Sequence, residues 1–195
     1  MNYFFMCQHP CKLDEATLLS QCRVEFTRRG GPGGQHRNKV ESAVVMIHQP
    51  TQILAEANER RDQSQNRRVA LGRLRRQLSL LVRTGPAQKS QNQAENTPEF
   101  TVGSSGPSET GDAPSPLWQA RCIDRPADVS AEHWDYPTLV AEALDQVVAS
   151  QWELSTAARR LGVSTARLAK LIRADRSTLE WINRQRKLLG FPLIR

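Results

Sequence analysis

The chain has 195 residues and a mass of 22.0 kDa, room for one domain or two small ones. It carries 27 Lys and Arg against 20 Asp and Glu, and the net charge of +7 favours an acidic partner, above all nucleic acid. No apolar run reaches the roughly 18 residues of a membrane span, the opening residues lack the basic and long apolar regions of a secretory signal, and four cysteines do not make a disulfide scaffold, so a cytoplasmic, monomeric protein without a membrane partner is expected.

Residues 14–20 predict a short helix opened by Asp14. In residues 22–27, Cys22, Val24 and Phe26 alternate with Arg23, Glu25 and Thr27, the pattern of a half-buried strand. Residues 28–36, RRGGPGGQH, hold four glycines and a proline and are a loop; NKVESA after it suits a helical turn. VVMIHQ is a β-branched strand, Gln49-Pro50-Thr51-Gln52 a turn with Pro50 in second position, and ILAEANE a paired strand. From about Asp62 to Val82 a helix is predicted, capped by Asp62 or Ser64, with Ala70, Leu74, Leu78 and Leu81/Val82 inward and Arg67, Arg68, Arg73, Arg75, Arg76 and Arg83 interleaved. Residues 21–83 hold 13 basic and 5 acidic residues, so the positive excess lies in this half.

Residues 84–117 contain five Pro, four Gly and five Ser in 34 positions, the composition of a flexible linker, with a reach of roughly 30 Å or more. Beyond it the chain reads as helical. Residues 138–152 place Leu139, Ala143, Val147 and Val148 on one face. Two short helices follow, with Ala157, Ala158 and Leu161 in the first, Gly162-Val163 at the turn, Ser164 as cap, and Leu168, Leu171 and Ile172 in the second. A last helix covers about 177–189 and stops at Gly190. The organisation expected is therefore α+β: a domain over 1–83 (an extension of 20 residues, then a sheet packed on a long basic helix), a linker over 84–117, and an all-α, helix-turn-helix-like module over 118–195.

Chemistry concentrates in the glycine-rich loop. Gly33 and Gly34 let the backbone approach a partner closely, and Arg28, Arg29, Arg37 and Lys39 surround them with positive charge. Gln35 has a neutral amide and no proton to trade, so catalysis here rests on positioning and hydrogen bonding. The run GPGGQHRNKVESAV, the turn HQPTQI and the helix RRDQSQNRRVALGRLRRQL resemble the GGQ domain of peptide-chain release factors over roughly residues 20–83. The resemblance implies a ribosome-dependent peptidyl-tRNA hydrolase, with the large-subunit RNA of the peptidyl-transferase centre and peptidyl-tRNA as partners and no cofactor. It makes Gly33, Gly34 and Gln35 the catalytic loop, the Gln35 backbone N–H stabilising negative charge and its side chain positioning water. It makes Arg28, Arg29, Arg37, Asn38 and Lys39 RNA contacts, joined by Arg67 and Arg68 on the helix. A glutamine methyltransferase acting on Gln35 is a further implied partner. With only some 20 residues before the domain, the chain resembles the short, codon-independent factors that rescue stalled ribosomes. It departs from them in the acidic linker and the helical module in place of a long basic tail, and in Gln52, where relatives usually have glycine.

Other features carry two readings each. Cys7, Cys11 and Cys22, with His9, could hold zinc, but their spacing is not a common zinc pattern; reduced, partly buried thiols are expected and no metal site. His36 is read as a packing or RNA contact. Arg167, Lys170 and Arg173 recur at i, i+3, i+6 and form a nucleic-acid face, unless the helix pair only packs. Trp118, Trp134, Trp152 and Trp181 are expected to pack. The alternatives to hydrolysis are a catalytically silent ribosome-binding protein and a DNA-binding regulator using the helical module.

Overall fold

A computed structural model of the chain describes residues 3–27, 42–84, 113–124 and 129–195. Three strands, β2 (Cys22–Thr27), β3 (Ala43–His48) and β4 (Ile53–Ala57), form an antiparallel sheet in the order β2-β3-β4. Short β1 (Phe4–Met6) pairs in parallel with β5 (Val82–Thr84). Helix α1 (Glu15–Ser20) precedes β2, and the 19-residue α2 (Gln63–Leu81) lies across β3 and β4. After residue 112 come α3 (Pro116–Trp118), a π-helical stretch (Gln119–Asp124), α4 (Tyr136–Ala149), α5 (Leu154–Arg160), α6 (Thr165–Arg173) and α7 (Arg176–Leu188). No described helix is long and apolar enough to cross a membrane.

Local chemistry sets the element ends. The Asp14 carboxylate accepts from the Thr17 N–H at 2.9 Å, and Asp62 does the same for Ser64 at 2.9 Å. Ser164 and Asp175 cap α6 and α7 in the same way. The α5–α6 turn needs a left-handed residue, supplied by Gly162 at φ +66°, where a Cβ would also meet Ile123 Cδ1 at 3.3 Å.

In β4, Ile53, Ala55 and Ala57 are buried and Leu54 and Glu56 exposed, and the register sets Ala55 and Ala57 beside Met46 and Val44 under α2. Cys22, Val24 and Phe26 share that face by pairing with His48, Met46 and Val44. Phe26 is nevertheless 44% exposed, because α2 covers β3 and β4 rather than β2.

Helix α2 belongs to two apolar cores. Ala70, Leu71, Leu74 and Leu78 meet the sheet and Leu18. Leu80 instead joins Leu144, Val147, Trp118 and Ile182 in the core of the helical unit, with Leu81 packed against both. Two of the arginines interleaved with the apolar positions of the predicted helix are thereby buried: Arg75 is 2% and Arg83 1% exposed. Arg75 donates to the carbonyl oxygens of Trp134 at 2.6 Å and Cys11 at 3.0 Å and to Thr138 Oγ1 at 3.3 Å, and its guanidinium stacks 3.4 Å over the Trp134 ring. Arg83 donates to Asp145 at 3.1 Å and to the carbonyls of Ala141 and Ser79. The burial has a plain cause: α4 and Trp134 just before it supply acceptors on the side of α2 that the sheet leaves open, and Cys11 adds another.

Residues 113–117, counted with the linker on composition, open the helical unit: Ser115 caps Trp118 and donates to the Glu142 carboxylate. Trp118 and Trp152 are core residues, Trp181 packs against Trp152, and Trp134 covers Arg75.

His9 is buried beside this junction. Its Nδ1 accepts from the Cys11 N–H at 3.1 Å and its Nε2–H donates to the Val82 carbonyl at 3.2 Å. Burial, then the nearby Arg83 charge, push its pKa down to about 3. The unfolded chain takes up a proton near pH 6.5 that the folded chain refuses, so this contribution to stability is complete above pH 6.5 and lost as pH falls towards 3. Urea unfolding between pH 7 and 5 should show stability declining with acidity, and His9→Gln should flatten the slope by up to about 1.4 kcal/mol per pH unit.

Candidate nucleic-acid interface at the hairpin loop

Thr27 and Ala43 are the last paired residues of the β2–β3 hairpin, so residues 28–42 form its connection. Gly33, Gly34 and Gln35, with Arg28, Arg29, His36, Arg37, Asn38 and Lys39, lie outside the described residues. Most of the NKVESA turn and of the expected linker, residues 85–112, lie outside them too.

The base of the connection is described. Asn66, in the first turns of α2, is fully buried. Its Nδ2 donates to the Ser42 carbonyl at 2.6 Å and the Arg60 carbonyl at 2.8 Å, and its Oδ1 accepts from the Arg60 N–H at 2.9 Å. One side-chain amide thus joins the returning end of the loop, the β4–α2 connection and the helix. Sequence reading missed Asn66; the only signal was a poor helix former inside a predicted helix. Around this node Arg60, Arg61, Arg67 and Arg68 are exposed, while Arg73 is tied to Glu59 at 2.6 Å. Arg67 and Arg68 follow Asn66 directly on α2 and are exposed there.

The far end of the hairpin is held by a buried histidine. His48 Nδ1 lies 2.8 Å from Thr51 Oγ1 and Nε2 3.2 Å from Gln21 Oε1, and burial lowers its pKa, so the neutral ring serves as a clamp. Gln52 follows at φ +55°, a left-handed conformation that glycine takes without steric cost.

Two of the three thiols weighed as zinc ligands are used in packing. Cys11 Sγ donates to the Arg75 carbonyl at 3.2 Å, and burial pushes its pKa up to about 12; Cys22 Sγ donates to the Leu18 carbonyl at 3.2 Å. Among the described residues no three His, Cys, Asp or Glu side chains stand together as a metal site.

Arg167, Lys170 and Arg173 do share one surface. They line a groove of about 990 Å³ whose other lining includes Trp118, Cys122 and Val129. They are not brought to the loop base: α6 sits in the helical unit, and Asp175, the cap of α7, approaches Arg76 of α2 at 3.9 Å.

Comparison with known proteins bears on the first surface. Residues 16–110 match the RF-1 domain family. Over 87 residues the chain is 40% identical to peptide chain release factor 1 of Symbiobacterium thermophilum, covering 45% of this chain and 23% of that protein. It is 41% identical over 73 residues to an uncharacterized mitochondrial peptide chain release factor-like protein of Saccharomyces cerevisiae, covering 37% of this chain and 47% of the relative. The mitochondrial peptide chain release factor 1 of Mus musculus is 33% identical over 100 residues, 51% of this chain and 22% of its own length. The chain thus spans less than half the length of each of these relatives.

Two outcomes test this geometry. Asn66→Ala leaves three backbone groups without their partner and should cost about 1–3 kcal/mol in urea unfolding; Asn66→Asp, which keeps the acceptor but sets a carboxylate against two carbonyls, should be no better. Gln52→Gly should raise stability by about 0.5–1 kcal/mol in the same assay, since glycine is free of the left-handed strain.

Proposed function

Residues 16–110 belong to the RF-1 domain family of peptide chain release factors, and from that membership we propose that this chain hydrolyses the ester joining a nascent peptide to tRNA on the ribosome, through Gly33-Gly34-Gln35 and without reading a codon. The observation that carries the reading is the family match itself, which spans the GPGGQ run. The hairpin geometry supports it: the loop springs from paired strands, its base is fastened to α2 by Asn66, and exposed arginines flank that base.

In this reading the ribosome supplies the peptidyl-tRNA and much of the catalytic surround. The loop glycines let the backbone enter a crowded RNA site. The Gln35 N–H donates to the oxygen on which negative charge develops, and the side-chain amide orients the attacking water. Arg28, Arg29, Arg37, Asn38 and Lys39, with Arg67 and Arg68, contact ribosomal RNA through its phosphates. A methyltransferase acting on Gln35 fits the same surface.

Purified ribosomes carrying labelled peptidyl-tRNA test the reading, with messages truncated in the P site or presenting a stop or a sense codon in the A site. Release is expected on all three classes of complex. Gln35→Pro removes the backbone donor and should slow release by about 100-fold or more, with ribosome binding retained. Gln35→Ala should also lose release. Release confined to stop codons overturns codon independence; binding without release from any complex overturns hydrolysis and leaves the silent ribosome-binding protein.

A further inference from the structure

Charge is segregated within the helical unit. Residues 118–150 hold two basic and six acidic residues, whereas residues 151–195 hold ten basic and three acidic ones. The three acids are engaged locally: Glu153 accepts from Ser155 and Thr156, Asp175 caps α7, and Glu180 pairs with Arg176 at 2.7 Å. Helix α6 carries three of the ten cations, Arg167, Lys170 and Arg173, at i, i+3 and i+6, about 5 Å apart along its axis.

These three cations form one wall of the 990 Å³ groove. Leu168 and Leu171 of α6 and Trp118 line its apolar part, and Arg121, paired with Asp135 at 2.8 Å, stands on the opposite side. Glu132 is the one carboxylate in the described lining. Arg173 donates to the Arg195 carbonyl through a single Nη1 and keeps other donors of its fork for an incoming group. A row of cations beside an open groove complements a polyanion backbone.

We propose that the α6 groove is a second RNA-binding surface, taking the sugar–phosphate backbone through Arg167, Lys170 and Arg173, and joined through α2 to the base of the β2–β3 connection. Two anchors on that helix make the link. Asn66 fastens the loop base, and Arg76 meets Asp175 at the α6–α7 junction; ten residues of helix separate them by about 15 Å. Buried Arg75 and Arg83 lock the units between and beyond these points. RNA rather than DNA is the ligand because the same chain carries the RF-1 domain match; in that respect the proposal rests on the ribosomal reading.

The test uses the full chain and needs neither ribosomes nor release. Fluorescence anisotropy with a labelled 20-nucleotide RNA hairpin and a DNA hairpin of the same sequence, from 50 to 200 mM KCl, should show RNA bound at least as tightly as DNA. Arg167→Gln/Lys170→Gln/Arg173→Gln should weaken RNA binding at least tenfold and shrink the salt slope by about 2 to 3. A charge-matched control outside the groove, Arg159→Gln/Arg160→Gln/Arg184→Gln, should lose less than threefold. Should the triple variant misfold by circular dichroism, Lys170→Glu alone serves, with at least a threefold loss expected. Equal losses in both triple variants, unchanged affinity, or tighter binding to DNA overturns the proposal. A chain that binds through the groove but releases no peptide defeats only the ribosomal reading, and one that releases peptide with an indifferent groove defeats only this proposal.

Discussion

Two guanidinium groups inside the protein decide what α2 can be. A buried cation is tolerated only where acceptors surround it, and removing an acceptor leaves a desolvated charge at a cost of several kcal/mol. Arg75 and Arg83 draw those acceptors from both sides: Cys11 and Ser79 from the sheet-bearing unit, Trp134, Thr138, Ala141 and Asp145 from the helical one. Thr138 closes the junction by donating to the Cys11 carbonyl at 2.6 Å, beside Arg75 on the same oxygen. Apolar contact alone would allow the two units to slide; directed hydrogen bonds from planar forks fix the register.

With that constraint in place the rest of α2 can be divided among tasks. One face closes the sheet, a second seats α4, the first turns hold the loop base through Asn66, and the exposed remainder carries Arg67 and Arg68. In the proposed function the loop works by positioning, and such a mounting serves it. The base of the connection and the packing of the helical unit thereby meet in one helix of about 28 Å.

Much of this was legible in the chain. Alternation marked β2, β-branched residues marked β3, the turn at Pro50 led to its partner β4, and Asp62 and the leucine spacing marked α2, because these signals are local. The pairing of β1 with β5 was not legible: three residues carry no period, and their partners lie almost eighty positions away. Neither was the fate of the arginines. Arg75 and Arg76 look alike in sequence, and only α4, some sixty residues on, separates the buried one from its neighbour. Asn66 failed for a similar reason, since the groups it satisfies belong to a turn and a loop end rather than to its own helix. The GGQ loop was legible as a motif alone, from glycine content and the residues around it.

The long reach of the arginine junction also bears on how the protein is made. Arg83 leaves the ribosome 62 residues before Asp145, the carboxylate that partners it. At about 5–20 residues per second that gap lasts roughly 3–12 seconds, during which the sheet can assemble while one side of α2 stays wet. The first unit must therefore persist in a half-finished state with its basic helix open to solvent and to any polyanion nearby. Final closure comes late, set by the arrival of α4 rather than by the speed of strand pairing.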